Sequence, residues 1–179
     1  MKKMFLSGLF FCLMVFCFHV SSPSAMMKGL STEELTNASD IVVLGNVDKV
    51  KSQWSKDRKT IFTSAQIIVK DVIKGKKGKT FPAKIKVEYE GGEVGKIGLM
   101  VSDQTELKKG ENVLLFLKSG KSKLDGLAYN LVGKNQGKYI VTADGIVNKS
   151  GFSIAGETEM IDNNIPVDAL IEKIRRVDQ

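Results

Sequence analysis

Beyond residue 19 the sequence contains no cysteine and no histidine; Cys12, Cys17 and His19 exhaust both residue types. All three lie in an opening segment with the make-up of an export signal. Lys2 and Lys3 give it a positive start, and Met4 to Val20 is almost wholly apolar. Ser21-Ser-Pro-Ser-Ala25 then supplies the small residues of a cleavage region. A cut after Ser24 places Ser22 and Ser24 at the −3 and −1 positions. An uncleaved membrane anchor is the competing expectation, because a largely apolar run of 17 residues approaches spanning length. Against it, Ser7, Gly8 and His19 dilute the run, and the small residues follow at once. A lipid anchor is disfavoured because each cysteine follows a phenylalanine, where lipidation needs a small residue.

Loss of residues 1–24 leaves one domain, 25–179, with neither thiol nor imidazole. Disulfides, cysteine nucleophiles, Ser-His-Asp triads and zinc held by His or Cys are then excluded. An exported domain without disulfides must depend on its core, and about 155 residues suffice for one. No internal repeat, low-complexity linker or second domain interrupts it. The expected location is the periplasm or the extracellular medium, with no membrane span after processing.

Aromatic residues are also scarce, with one tryptophan and three tyrosines in the whole chain. Lys2 and Lys3 leave with the signal, taking Lys+Arg from 27 to 25 against 20 acidic residues, a balance of +5. The lysines are spread along the chain, with one dense patch at Lys74-Gly-Lys-Lys-Gly-Lys79 that reads as a solvated turn. Single-stranded nucleic acid needs stacking platforms between basic residues, and these are missing, so no nucleic-acid partner is expected.

What is present is mostly strand. Ser31 and Glu34 have capping-box spacing, which predicts a short helix ending near Asn37. A β-branched run follows from Asp40 to Val50, interrupted by Gly45, which in a strand marks a bend or bulge. Thr60 to Ile73 forms a second long strand whose alternation slips at Val72. The intervening loop, Ser52 to Lys59, is polar apart from Trp54. In the third strand, Ala83, Ile85, Val87 and Tyr89 share one face, and Lys84, Lys86, Glu88 and Glu90 share the other, which is expected to face water. Val113 to Leu117 reads as a buried strand. Tyr129 to Val132, Tyr139 to Thr142 and Ile146-Val147 add shorter ones, and a helix over about 165–177 has Leu170, Ile171, Ile174 and Val177 as its stripe. Five or six strands, bent early and flanked by two helices, predict a mainly β domain: a small OB-like barrel over about 38–147, with a β-sandwich as the alternative.

Several of these segments carry a resemblance. Ser39-Asp-Ile-Val-Val-Leu-Gly-Asn-Val47, Trp54, Thr60-Ile-Phe-Thr63 and Val69-Lys-Asp-Val-Ile-Lys-Gly75 resemble a family of uncharacterised secreted bacterial domains. Gly91-Gly92, Gly110 to Leu117 and Gly137-Lys138-Tyr139 fit the same pattern. More distantly, residues 38–142 are similar to the netrin-like, metalloproteinase-inhibitor type of OB-fold. That likeness implies the fold. The inhibitors' mechanism cannot transfer, because it uses an N-terminal cysteine on the protease zinc and residues 25–179 have none.

Glycine is plentiful, and Tyr89-Glu-Gly-Gly-Glu-Val-Gly-Lys-Ile-Gly-Leu99 invites comparison with a phosphate-binding loop. A P-loop needs four residues between its first glycine and its Gly-Lys pair, then Ser or Thr for magnesium. Here three residues separate Gly91 from Gly95-Lys96, and Ile97 occupies the hydroxyl position. The segment reads as an excursion across one barrel mouth. The Ser-x-x-Lys pattern is absent after residue 24. Paired carboxylates remain for chemistry, and Glu88, Glu90 and Glu93 are the nearest set. Asp162-Asn-Asn164 lacks the following ligands of a calcium loop and reads as a helix-entry turn.

The sequence therefore predicts a non-enzymatic binding module without metal or cofactor. Its candidate binding residues are Trp54, Gly91, Gly92, Glu93, Gly95 and Lys96, and its expected partner is an extracellular or periplasmic protein such as a secreted peptidase. A carboxylate-dependent hydrolase and a structural component of the envelope or of an extracellular assembly are the alternatives. For Trp54, capping the barrel end competes with recognition. Oligomeric state is left open.

Overall fold

The computed structural model describes residues 27–76, 78, 80–102, 104, 106–149, 154–155 and 161–179. The segment expected to be an export signal, with Cys12, Cys17, His19 and the expected cleavage region, lies outside the described residues, as do Lys77 and Lys79 of the lysine patch. Among the described residues, no helix is long and apolar enough to cross a membrane.

In chain order the elements are β1 (Met27–Lys28), α1 (Thr32–Ala38), β2 (Ile41–Trp54), β3 (Ile61–Lys74), β4 (Lys84–Glu90), β5 (Gly92–Val94), β6 (Ile97–Leu99) and β7 (Asn112–Lys121). There follow β8 (Leu127–Leu131), a 3-10 turn (Lys134–Gly137), β9 (Lys138–Val141), β10 (Ile146–Asn148), β11 (Ile154–Ala155), β12 (Ile165–Pro166) and α2 (Val167–Val177). The protein is mainly β. Eight strands form one sheet in the order β12-β10-β9-β7-β2-β3-β4-β8, and β8 pairs again with β7. This second pairing joins β2, β3, β4, β8 and β7 into a ring, all antiparallel except where Val87 of β4 meets Tyr129 of β8. Beyond the ring, β9, β10 and β12 extend the sheet from β7.

The long strands curve through bulges. One residue is gained in β3 opposite the Val42/Val43 step, another opposite Leu44/Gly45, and one in β2 between Val47 and Lys49. Each bulge increases local twist and bends its strand. At Gly45 a side chain would overlap the Ile68 carbonyl and the Ile67 side chain, so close strand approach requires glycine there.

Two apolar clusters lie on opposite faces of the sheet. Inside the ring, Ile41, Val43, Val47, Ala65, Ile67, Ile85, Val87, Tyr89, Leu107, Val113, Leu115 and Leu117 pack together. Outside it, Val42, Ile73, Leu114, Phe116, Tyr139 and Val147 pack against Leu35 of α1 and Leu170, Ile171 and Ile174 of α2. β7 therefore buries both faces, which is why Val113 to Leu117 is continuously apolar. α1 has the full capping box, with Ser31 accepting from Glu34 N–H and the Glu34 carboxylate accepting from Ser31 N–H. Asp162 ties the helices together, accepting from Thr32 Oγ1 at 2.5 Å and Lys173 Nζ at 2.9 Å.

The structure corrects several expectations. Strand β2 runs on to Trp54, so the polar loop shrinks to residues 55–60. The Gly91-to-Gly98 stretch is a small β-hairpin, β5 with β6. Lys74 is part-buried and donates to the Thr36 carbonyl at 2.7 Å, so it does not belong to a solvated turn. Glu88, expected in water, is 2% exposed. The β7–β8 turn folds over the outer face of β4, and the Glu88 carboxylate accepts from Ser122 Oγ and from the N–H groups of Lys123 and Leu124 at 2.9, 2.7 and 3.2 Å.

Candidate functional site

At one end of the ring the β5–β6 hairpin folds against the inner face of β2 and β3. Gly91 N–H donates to the Ile61 carbonyl, continuing the β3–β4 ladder by one step, and the chain then turns inward. Gly92 sits at φ +115°, and a Cβ there would fall on the hydroxyls of Thr63 and Ser52. Those hydroxyls bond each other at 2.8 Å, and Thr63 Oγ1 lies 2.6 Å from the Gly91 carbonyl. The pair Gly91-Gly92 thus exists to lay backbone directly on two hydroxyl-bearing strands. Gly95, at φ +65° with open space around it, forms the hairpin turn with Lys96.

Between the hairpin, the edge of β2 and the segment after β6 lies a cleft of about 300 Å³. Thr63, Tyr89 and Gly91 meet at its base, Val50 and Ser52 line one side, and Leu99, Val101, Glu106 and Leu107 line the other. The far wall is anchored from below. Buried Lys138 donates to the Glu106 carbonyl at 2.6 Å and to Glu111 Oε2 at 2.8 Å, and the Leu107 N–H donates to the Tyr89 hydroxyl at 3.1 Å. Burial pushes the Tyr89 phenol above its ordinary pKa, outweighing the Leu107 N–H bond that favours the ionised form. The phenol is a neutral anchor.

Of the residues singled out from the sequence, Gly91, Gly92 and Glu93 line the cleft, while Gly95 and Lys96 lie at the hairpin tip outside it. Trp54 is not in a loop. It is the half-buried last residue of β2, opposite Ile61 and two residues beyond Ser52 on the same face. Sequence reasoning missed Ser52, Thr63 and Glu106, whose only signal was a hydroxyl at an inward strand position or a charge in an irregular segment. It also missed two exposed apolar side chains at the hairpin, Ile97 (55% exposed) and Met100 (95%).

The carboxylates do not form a free catalytic set here. Glu88 is engaged by the 122–124 turn, and Glu90 accepts from Thr60 Oγ1 at 2.8 Å. Among the described residues no group of three or more acidic, histidine or cysteine side chains is placed to hold a metal ion. Among the described residues, a lysine with a strongly lowered pKa lies elsewhere. Lys149, next to β10, has its Nζ 4.3 Å from the centroid of the Tyr139 ring and no hydrogen-bond partner among the described residues. Burial lowers its pKa to about 7, with Asp162 opposing. Burial also acts to raise the Asp162 carboxyl, but Thr32, Lys173 and Lys149 together hold it below its usual range. No family model matches this chain, and no curated protein matches it either.

Proposed function

We propose that the protein is an exported, non-enzymatic binding module. Its recognition end is the β5–β6 hairpin, the adjoining cleft and the Trp54 end of β2. The observation that carries this reading is the exposure of Ile97 and Met100 beside the cleft. The hairpin ladder holds Ile97, and Met100 follows directly after its last pair; both large apolar groups stand in water, where covering them with another surface is favourable. The partner is a protein of the periplasm or the extracellular medium, such as a secreted peptidase, because side chains of this kind are best buried by another apolar surface.

The OB-like, netrin-like reading belongs here as well. It is supported by the ring order, in which β8 inserts between β4 and β7 so that a meander closes as a five-stranded Greek key. Export is supported by the first 24 residues, and intact mass of protein recovered outside the cytoplasm is expected to show their loss. Retention of residues 1–20 in a membrane fraction would remove the exported-module reading.

The test of binding is capture with the tagged protein from its own exported fraction, followed by titration of the captured partner. The double variant Ile97→Asp/Met100→Asp and the single variant Trp54→Ala are each expected to weaken binding about thirtyfold, equivalent to about 2 kcal/mol. Gly95→Asp adds a charge at the hairpin tip, where an acidic residue tolerates the left-handed backbone, and it should weaken binding with only a small change in Tm. Unchanged affinity in all three variants would place the interface elsewhere.

A further inference from the structure

Among the described residues, the edge of β2 beside the cleft is open. On that side β2 pairs with β7 only from Ile41 to Asn46, and Val47 makes the last contacts, with Gly110 and Glu111. From Asp48 to Trp54 no described strand pairs with that edge, while β3 covers the other side throughout. Backbone direction follows from the ladder. The Ser55 N–H bonds the Thr60 carbonyl, toward β3, so by alternation the N–H and C=O groups of Val50, Ser52 and Trp54 point to the open side. Val50 and Ser52 also line the cleft. A ready row of backbone donors and acceptors thus runs along a cavity that can take side chains.

Charge divides this edge by face. On the cleft side, Glu93 and Glu106 are exposed and have no ion-pair partner among the described residues. On the opposite face, Lys49 and Lys51 alternate with the cleft residues and are likewise exposed and unpaired. We propose that the Val50-to-Trp54 edge takes an extended segment of the partner protein as an added strand. Its cleft-facing side chains are apolar or basic, and its outward ones are acidic. Strand addition obtains affinity from main-chain bonds and specificity from pockets for alternate side chains, and both elements are present here. Five residues at about 3.3 Å each give an edge of roughly 16 Å, enough for an ordinary short strand. A second copy of this chain is a poor occupant. Pairing two such edges would bring Lys49 and Lys51 of each copy onto one face at cross-strand distance, where like charges repel.

This inference rests on the binding-module reading, and its test separates the two. The probe is a ten-residue synthetic peptide alternating valine and lysine on one face with glutamate on the other, compared with its charge-reversed counterpart. The purified protein is expected to bind the first at least tenfold tighter. Binding should increase hydrogen-exchange protection at the Val50, Ser52 and Trp54 amides. N-methylation of the peptide amides facing β2 should abolish binding, while methylation of the alternate set should not. Val50→Pro removes one outward N–H and leaves the β3 ladder intact, so it should lose at least tenfold in affinity while Val50→Ala retains it. If Val50→Pro does not fold, the N-methylated peptides decide alone. Equal affinity for the two peptides, binding without protection of those three amides, or binding of neither peptide would overturn the proposal. So would self-association through the same amides. If capture of the native partner survives Val50→Pro but is lost in Ile97→Asp/Met100→Asp, strand addition fails and the binding end stands. If both variants capture normally, both readings fall.

Discussion

Truncating Glu88 to alanine leaves the Lys123 N–H without its acceptor and strips the carboxylate from the Leu124 N–H, which keeps only Ser122 Oγ at 3.0 Å, at a site 2% exposed. Unsatisfied buried donors cost about 1–3 kcal/mol, so Glu88→Ala is expected to lower stability by about that much, and Glu88→Gln, which keeps one acceptor oxygen, by less. Thermal melts of the pair check the ranking. Its neighbour Val87 is fully buried in the ring, and Val87→Asp should be more damaging still, because an unpaired carboxylate would enter the core. Lys149 acts in the opposite sense. Its folded pKa of about 7 lies below the ordinary value of 10.5, so between those values the unfolded chain holds the proton more tightly. Wild-type stability should therefore rise with pH from about 7 to 10.5 through this group, and the cost is fully felt below 7. Lys149→Met is expected to raise Tm most near pH 6, by an amount on the order of a few kcal/mol in stability, with the advantage shrinking toward pH 10. A Tm difference independent of pH would mean that the amine stays solvated.

At the scale of the element, the β5–β6 hairpin distinguishes two glycines that look alike in sequence. Gly92 needs both its positive φ and its missing Cβ, because Ser52 and Thr63 occupy the space a side chain would take. Gly95 needs only the positive φ. Gly92→Ala is expected to cost about 2 kcal/mol or more and Gly95→Ala about 1 kcal/mol, as read from denaturant midpoints. Equal costs would show that the hairpin lifts away from β2 and β3 in solution. The bulges in β2 and β3 act on the same region from the other side. The extra residue between Val47 and Lys49 comes just before the strand parts from β7. Beyond that point β2 becomes an edge.

At the scale of the whole molecule, the eight-stranded sheet carries two apolar clusters among the described residues, and the first of them lies inside the ring. Leu170 and Ile174 of α2, both 0% exposed, seal the outer cluster against Leu114 and Phe116 of β7. Ile174→Ala should cost about 2–5 kcal/mol, as expected for a fully buried branched side chain. Hydrogen exchange should show the loss of protection concentrated in α1 and α2 while β2, β3 and β4 retain theirs, since the inner cluster is untouched. Uniform loss would mean that the two cores open as one unit.

Much of this arrangement was determined by the sequence alone. The Ser31/Glu34 box placed α1, the Leu170-Ile171-Ile174 stripe placed the buried face of α2, and alternation along β3 and β4 set which side chains point inward. These features depend on backbone geometry over a few residues, so local spacing is enough to specify them. The confinement of Cys12, Cys17 and His19 to the first 19 residues likewise leaves residues 20–179 without a thiol or an imidazole. Tertiary structure alone decided the rest. Glu88 has the spacing of a solvated residue, and it is buried because a turn 34 to 36 residues away in sequence folds onto it. The cleft needs Ser52, Gly92 and Leu107 to converge, and the ring needs Val87 to meet Tyr129. Burial and pairing are properties of segments brought together across the chain, and the periodicity of one strand carries no information about what covers its other face.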